Sequence, residues 1–170
     1  IIHSWRDAGY DRMLTRVYKT KISNKENEVI ISCDISFGAS YLKNFIEGKA
    51  IWHILNNGAI RLSFSGRFDN DLFPFLPRFG IRMGVPKEFK NVEYYGYGPN
   101  ESYIDKYQSN YIDLFSTTVE KLHEDYLFPQ ENGSHNYCDY VKLSNGNNTI
   151  SAYGKKPLSF NASYYTIEEL

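Results

Sequence analysis

Three carboxylates, Glu101, Asp105 and Glu131, stand beside turn-forming residues in one stretch, Glu93 to Asn136, that holds most of the unusual side chains of this sequence. Two carboxylates at a set separation can act as acid and base, or as acid and nucleophile, across a scissile bond. Tyr97 and Tyr103 in the same stretch, with Trp52 outside it, offer rings that stack on the flat face of a sugar. Arg78, Asn132 and His135 add hydrogen-bonding groups, and an apolar floor with a few placed polar groups is the makeup of a small-ligand site. The same residue types have a plainer use. Carboxylates beside glycine and proline hold loops by accepting backbone N–H bonds, and polar groups at turns satisfy main chain before they satisfy a ligand. Catalysis by Glu101, Asp105 or Glu131 is therefore the lesser expectation, and a buried polar network that fixes loops is preferred to a binding site. His3, His53, His123 and His135 share no ligand-like spacing, and Cys33 and Cys138 form no C-x-x-C pair, so no metal site is expected.

The elements that must position these groups read as short strands. Tyr94-Tyr95-Gly96-Tyr97-Gly98-Pro99 reads as a strand, Val92 to Tyr97, that ends in a sharp turn at its glycines and proline. Phe128-Pro129-Gln130-Glu131-Asn132-Gly133 is a second turn after an apolar run. Upstream, Trp5 to Leu14 is a loop or short helix packed by Trp5 and Tyr10. Thr15 to Ser23 is a half-exposed strand, paired through Asn24–Asn27 with Glu28 to Phe37, whose β-branched run suits burial on both faces. Asn56-Asn57-Gly58 between extended runs marks a hairpin. Phe68 to Pro77 breaks the pattern, and Arg78 to Val85 is predicted as a further strand. Tyr111 to Leu122 reads as strand and irregular chain. Cys138 to Leu143, Thr149 to Tyr153 and Leu158 to Tyr164 are short strands, joined by turns at Asn145-Gly146-Asn147 and Gly154-Lys155-Lys156-Pro157. Thr166 to Leu170 starts like a capped helix. The sum is an all-β sandwich.

A length of 170 residues suits a single domain over 1–170. The net charge of -1 argues against nucleic acid. No apolar run approaches the roughly 20 residues that span a bilayer, so no membrane contact is expected. Two thiols read as a reduced, cytoplasmic protein. The first residue is Ile1 rather than Met, which reads as an excised or processed piece. With 15 Tyr and 11 Phe the chain is rich in rings, most of which should be core or cross-strand pairs.

The order Gly-x-Gly-Pro-x-Glu-x-Tyr-x-Asp from Gly96 to Asp105, followed by Tyr-x-x-Pro-x-Glu-Asn-Gly from Tyr126 to Gly133, resembles the C-terminal β-sandwich domain, or small chain, of glycoside hydrolase family 2 β-galactosidases. Leu76-Pro77-Arg78-Phe79-Gly80 and Phe160-Asn161-Ala162-Ser163-Tyr164-Tyr165 are similar to two further segments of that family, and the likeness runs from about Trp5 to Leu170. The chain departs from the pattern at Lys106, where the family carries Arg, and at Ser134-His135-Asn136, where the family again has an Arg. The resemblance implies a galactose-mutarotase-like supersandwich, incomplete at both ends. Its exposed edges would pair with the missing segments or with a second copy as a homo-oligomer. It implies further that the catalytic glutamates lie on a separate barrel domain or large chain, which would be this chain's partner in hydrolysing terminal β-galactosides. No cofactor is expected from this chain; Mg2+ and a monovalent cation would belong to other domains. By the same comparison the family's aromatic platform at the galactoside site lies past Leu170. An independent carbohydrate-binding module and a mutarotase-type aldose epimerase are the alternatives.

Overall fold

The computed structural model describes residues 2–170. Two antiparallel four-stranded sheets carry almost all the regular structure, which bears out the all-β expectation. The chain divides into two compact units, one ending at Ile81 and one beginning at Arg82.

The first unit opens with helix α1 (Ile2–Asp7) and a 3₁₀ turn (Tyr10–Arg12). Trp5 and Tyr10 anchor this segment as expected. Trp5 Nε1 donates to the Phe75 carbonyl at 3.2 Å, the Tyr10 hydroxyl donates to the Pro74 carbonyl at 2.5 Å, and the Tyr10 ring meets Phe45 edge-on at 4.9 Å. The strands β1 (Leu14–Lys25), β2 (Glu28–Gly38), β3 (Ile46–Leu55) and β4 (Ile60–Phe68) then follow in spatial order. Glu26 and Asn27 alone make the first turn. The second hairpin turns at Asn56–Ala59, where Gly58 takes a φ of 84° that a residue with a Cβ rarely adopts. Register puts Ile31, Cys33, Ile35 and Phe37 on one face with Ala50, Trp52, Leu62 and Phe64, while Lys21, Asp34, Lys49 and Arg61 take the other.

Two expectations fail in this unit. β2 is half-buried rather than covered on both faces: only Ser36 and Gly38 are buried, and the apolar side chains of the other face, Val29, Ile31, Cys33, Ile35 and Phe37, stay partly open. Arg78 to Val85 forms no strand. Phe79, Ile81 and Met83 are exposed and no ladder partner is offered to the segment; Phe79 is held instead by rings, edge-on to Phe37 at 5.9 Å and tilted against Phe64 at 5.1 Å.

The second unit orders its strands β6-β5-β7-β8, with β5 at Asn91–Gly98, β6 at Tyr111–Thr118, β7 at His135–Ser144 and β8 at Thr149–Phe160. Burial alternates along β5, so Val92 and Tyr94 face a core shared with Cys138 and Val141 and closed by Val119 and Leu122 of a second 3₁₀ turn (Val119–Leu122). Gly96 and Gly98 do not turn the chain, as their neighbours suggested; they lie within β5 and are absent from the glycines of positive φ. Their smallness serves close approach. A Cβ on Gly96 would run into Cys138, whose Cα lies 2.8 Å from that point, and one on Gly98 would meet the Phe115 ring at 2.7 Å.

The turn expected at Gly154–Pro157 is also absent. β8 is one strand, and residues 154–157 bulge between the pairs Tyr140↔Tyr153 and Cys138↔Leu158. Asn145 makes the hairpin turn as read, its Oδ1 accepting the N–H groups of Asn147 (3.0 Å) and Asn148 (2.8 Å). Thr166 to Leu170 closes a single turn and not a helix: the Glu169 carboxylate accepts the Thr166 N–H at 2.7 Å, half of a capping box with no further turn to propagate it.

Candidate functional site

Glu101 follows the end of β5 by three residues, after a cis Gly98-Pro99 bond, and is 6% exposed. Three donors converge on its carboxylate. Lys106 Nζ and the Tyr126 hydroxyl both reach Oε1 in short hydrogen bonds, and the Gly133 N–H donates to Oε2 at 2.9 Å. Lys106 Nζ also donates to the Tyr126 hydroxyl at 2.8 Å and lies 5.4 Å from that ring's centroid. Burial alone would raise the Glu101 pKa; the bonds from Lys106, Tyr126 and Gly133 together outweigh it and hold the group below its ordinary value, so it is ionised at neutral pH. Lys106 is pushed up by the same contacts, Glu101 first.

Around this centre the backbone is tied at several points. The Ser102 N–H donates to the Ser134 carbonyl at 2.7 Å, the Ser102 hydroxyl accepts the Asn136 N–H at 2.8 Å, and Asn110 Nδ2 donates to the Glu101 carbonyl at 3.1 Å. Asn132 caps the other side: its Oδ1 accepts the Glu124 N–H at 3.0 Å, its Nδ2 donates to the Gln130 carbonyl at 2.9 Å, and its own carbonyl takes a short bond from Asn161 Nδ2. The left-handed φ of 70° at Gly133 brings its Cα so close to the Leu122 carbonyl that no Cβ fits. Sequence distance therefore disappears here: residues 99–110 and 122–136 form one hydrogen-bonded body.

His135 belongs to the same body by packing. It is buried, stacked on Phe160 at 5.3 Å and edge-on to Tyr94 at 4.6 Å, with Nδ1 3.1 Å from the Gly133 carbonyl. Burial lowers its pKa against the carbonyls of Gly133 and Pro99 and the Glu101 charge, so the ring is neutral at pH 7. Tyr103 is pushed up to about 12, chiefly by burial and then by the charges of Glu131 and Glu101.

The structure thus gathers Glu101, Tyr103, Asn132 and His135 from the candidates, with half-buried Glu131 close enough to act on Tyr103. Asp105 stands exposed at the tip of a tight turn closed by the Tyr103↔Lys106 bridge. Tyr97 lies on the far face of β5 from the core, stacked with Tyr107 at 5.5 Å. Trp52 and Arg78 are in the first unit, where Trp52 lines an apolar groove with Phe37, Phe64 and Phe79. Sequence reading missed Tyr126 and Ser102 and gave Lys106 no partner. The signal for Lys106 was present, since a lone cation five residues from a turn carboxylate can fold back on it; Tyr126 was marked only as the first residue of the Tyr-x-x-Pro-x-Glu-Asn-Gly segment. Among the described residues no group of three or more His, Cys, Asp or Glu side chains could hold a metal ion.

A family model described as the β-galactosidase small chain matches residues 2–170. The chain belongs to the β-galactosidase small-chain family. It is 35% identical to a β-galactosidase of Staphylococcus xylosus and 36% identical to one of Actinobacillus pleuropneumoniae, each over 170 residues and 100% of this chain. A β-galactosidase of Streptococcus thermophilus is 36% identical over 91 residues, 53% of this chain and 9% of that relative. The chain spans only 17% and 16% of the length of the first two relatives. No helix among the described residues is long and apolar enough to cross a membrane.

Proposed function

We propose that this small-chain unit is a non-catalytic scaffold of a glycoside hydrolase family 2 β-galactosidase, acting with a catalytic barrel domain or large chain that hydrolyses terminal β-galactosides. The observation that carries the reading is the use to which Glu101 is put. A general acid or nucleophile must present an oxygen to substrate, whereas both oxygens of Glu101 accept bonds from its own fold, and its depressed pKa removes the proton an acid would need. Asp105 is exposed on a turn tip. The motif is thus a clasp: it joins the loop after β5 to the loop before β7, and what it supplies to the enzyme is shape.

The deciding assay is hydrolysis of a chromogenic β-galactoside by this chain alone, by a catalytic chain lacking the segment, and by their mixture. Activity only in the mixture is the expected result. Turnover by this chain alone, abolished by Glu101→Gln, would refute the scaffold reading. Sugar-dependent tryptophan fluorescence of the isolated chain would instead favour an independent carbohydrate-binding module.

A further inference from the structure

The second sheet carries apolar side chains on both faces, although two rows of its outer face, Asn91 with Thr118, Ser144 and Thr149 and Glu93 with Ser116, Lys142 and Ser151, are polar. Its inner face holds the core around Tyr94 and Cys138. On the outer face, register aligns Leu114, Tyr95, Tyr140 and Tyr153 in one row across all four strands, so their side chains stand together. Three of the four are open to solvent, Tyr153 at 67%, Leu114 at 54% and Tyr95 at 40%, and Tyr140 is half-buried. Two residues further along β5, Tyr97 pairs with exposed Ile112 and carries Tyr107 stacked at 5.5 Å and Tyr137 edge-on at 5.7 Å. The charges at the other end cancel. Glu93 accepts Lys142 Nζ at 2.6 Å and the Tyr140 hydroxyl at 3.2 Å, and Lys142 Nζ lies 4.8 Å from the Tyr140 ring centroid.

A solvated sheet face normally alternates to polar side chains. This one has the makeup of an interface core, rich in tyrosine and poor in net charge, with its ion pair at the rim. An open sheet face lacks the concavity of a sugar site. Four strands spaced ~4.8 Å and five residues of ~3.4 Å mark out on the order of 300 Å², the size of a functional patch. Two such patches face to face bury about half of what a specific dimer needs, so a second copy is too small a partner. The occupant must continue beyond the patch, and the relatives carry this segment within chains about six times its length.

We propose that the row Leu114, Tyr95, Tyr140 and Tyr153 docks on an apolar, uncharged surface of the remainder of a β-galactosidase. This rests on the scaffold reading above. The test titrates the full 170-residue chain, or its Leu114→Lys/Tyr153→Lys variant, into a catalytic chain lacking the segment, and reads the concentration that restores half-maximal activity. Both sites are exposed on the outer strands β6 and β8, and thermal unfolding by circular dichroism verifies folding; Tyr153→Lys alone serves if the pair unfolds, and Lys19→Glu on the first sheet is the control. The expected result is at least a tenfold higher half-maximal concentration for the variant, with the control unchanged. Equal titrations of wild type and variant overturn the surface and leave the scaffold reading standing. Failure of the wild type itself to restore activity overturns both. Self-association of the isolated chain in sedimentation, or binding of galactosyl oligosaccharides, abolished by the same variant, assigns the face to another occupant and overturns the proposal.

Discussion

Glu101→Gln tests the clasp directly. The substituted amide offers one acceptor oxygen where the carboxylate offered two, and its NH2 group must then face a donor. Lys106, with a side chain 59% exposed, and the exposed Tyr126 can turn to water. The Gly133 N–H cannot; it is buried and keeps the amide oxygen, so the NH2 must face Lys106 and Tyr126, and losing the charge-assisted bonds to Glu101, itself 6% exposed, should cost the variant about 2 kcal/mol. For a cooperative unit the size of Arg82–Leu170, that is a fall in Tm of roughly 8–16 °C at neutral pH, at ~4–8 °C per kcal/mol. The sign with pH follows from the depressed pKa. The folded carboxylate lies below its ordinary value of 4.5, so its contribution is complete above that pH and is lost as pH falls through the folded value. Thermal unfolding followed by circular dichroism should therefore show the gap between wild type and variant narrowing as the pH is lowered through 4.5. Equal Tm values at pH 7, or a gap that persists unchanged into acid, would refute the clasp.

Gly96→Ala should destabilise by ~3 kcal/mol, at the upper end for an overpacked core, and Cys138→Ala in the same chain should not rescue it, because the Cys138 Cα and Cβ still lie 2.8 and 3.0 Å from the new methyl; urea midpoints of the single and double variants decide this. Cys138 is fully buried with its thiol pushed up to about 12 by burial, so a thiol reagent should label it only in denaturant, while half-buried Cys33 reacts first; peptide mapping after timed labelling is the check. His135 is neutral when folded and takes up a proton on unfolding near its ordinary 6.5. The stability due to its neutrality is therefore complete above that pH and declines as pH falls toward the folded value, and His135→Gln should flatten the wild-type Tm profile below pH 6.5.

Much of this was written locally. Asn57-Gly58 sets a hairpin because a positive φ is needed where the chain reverses, and Asn145 sets another through its own side-chain acceptor. Alternation in β5 is legible too, with every second residue buried. Glu101, Tyr103, Asn132 and His135 stood out by type and by nearness to turns, and the choice of a loop-fixing network over catalysis follows from the same turn chemistry. The strand misread at Arg78–Val85 has strand-like residues, yet a strand exists only where another edge offers its hydrogen bonds, and none does.

The sequence by itself determined the all-β class, the turns made by Asn and Gly, and the residues of the motif, because those depend on side-chain conformation and period along a few neighbours. Only the tertiary structure decided that Gly96 and Gly98 are spacers for Cys138 and Phe115 rather than a turn, that residues 154–157 are a bulge within one strand, and that Tyr126 closes on Glu101. Each of those depends on a partner on another segment of the chain, since close approach and hydrogen-bond saturation are properties of a pair of segments and not of either one alone.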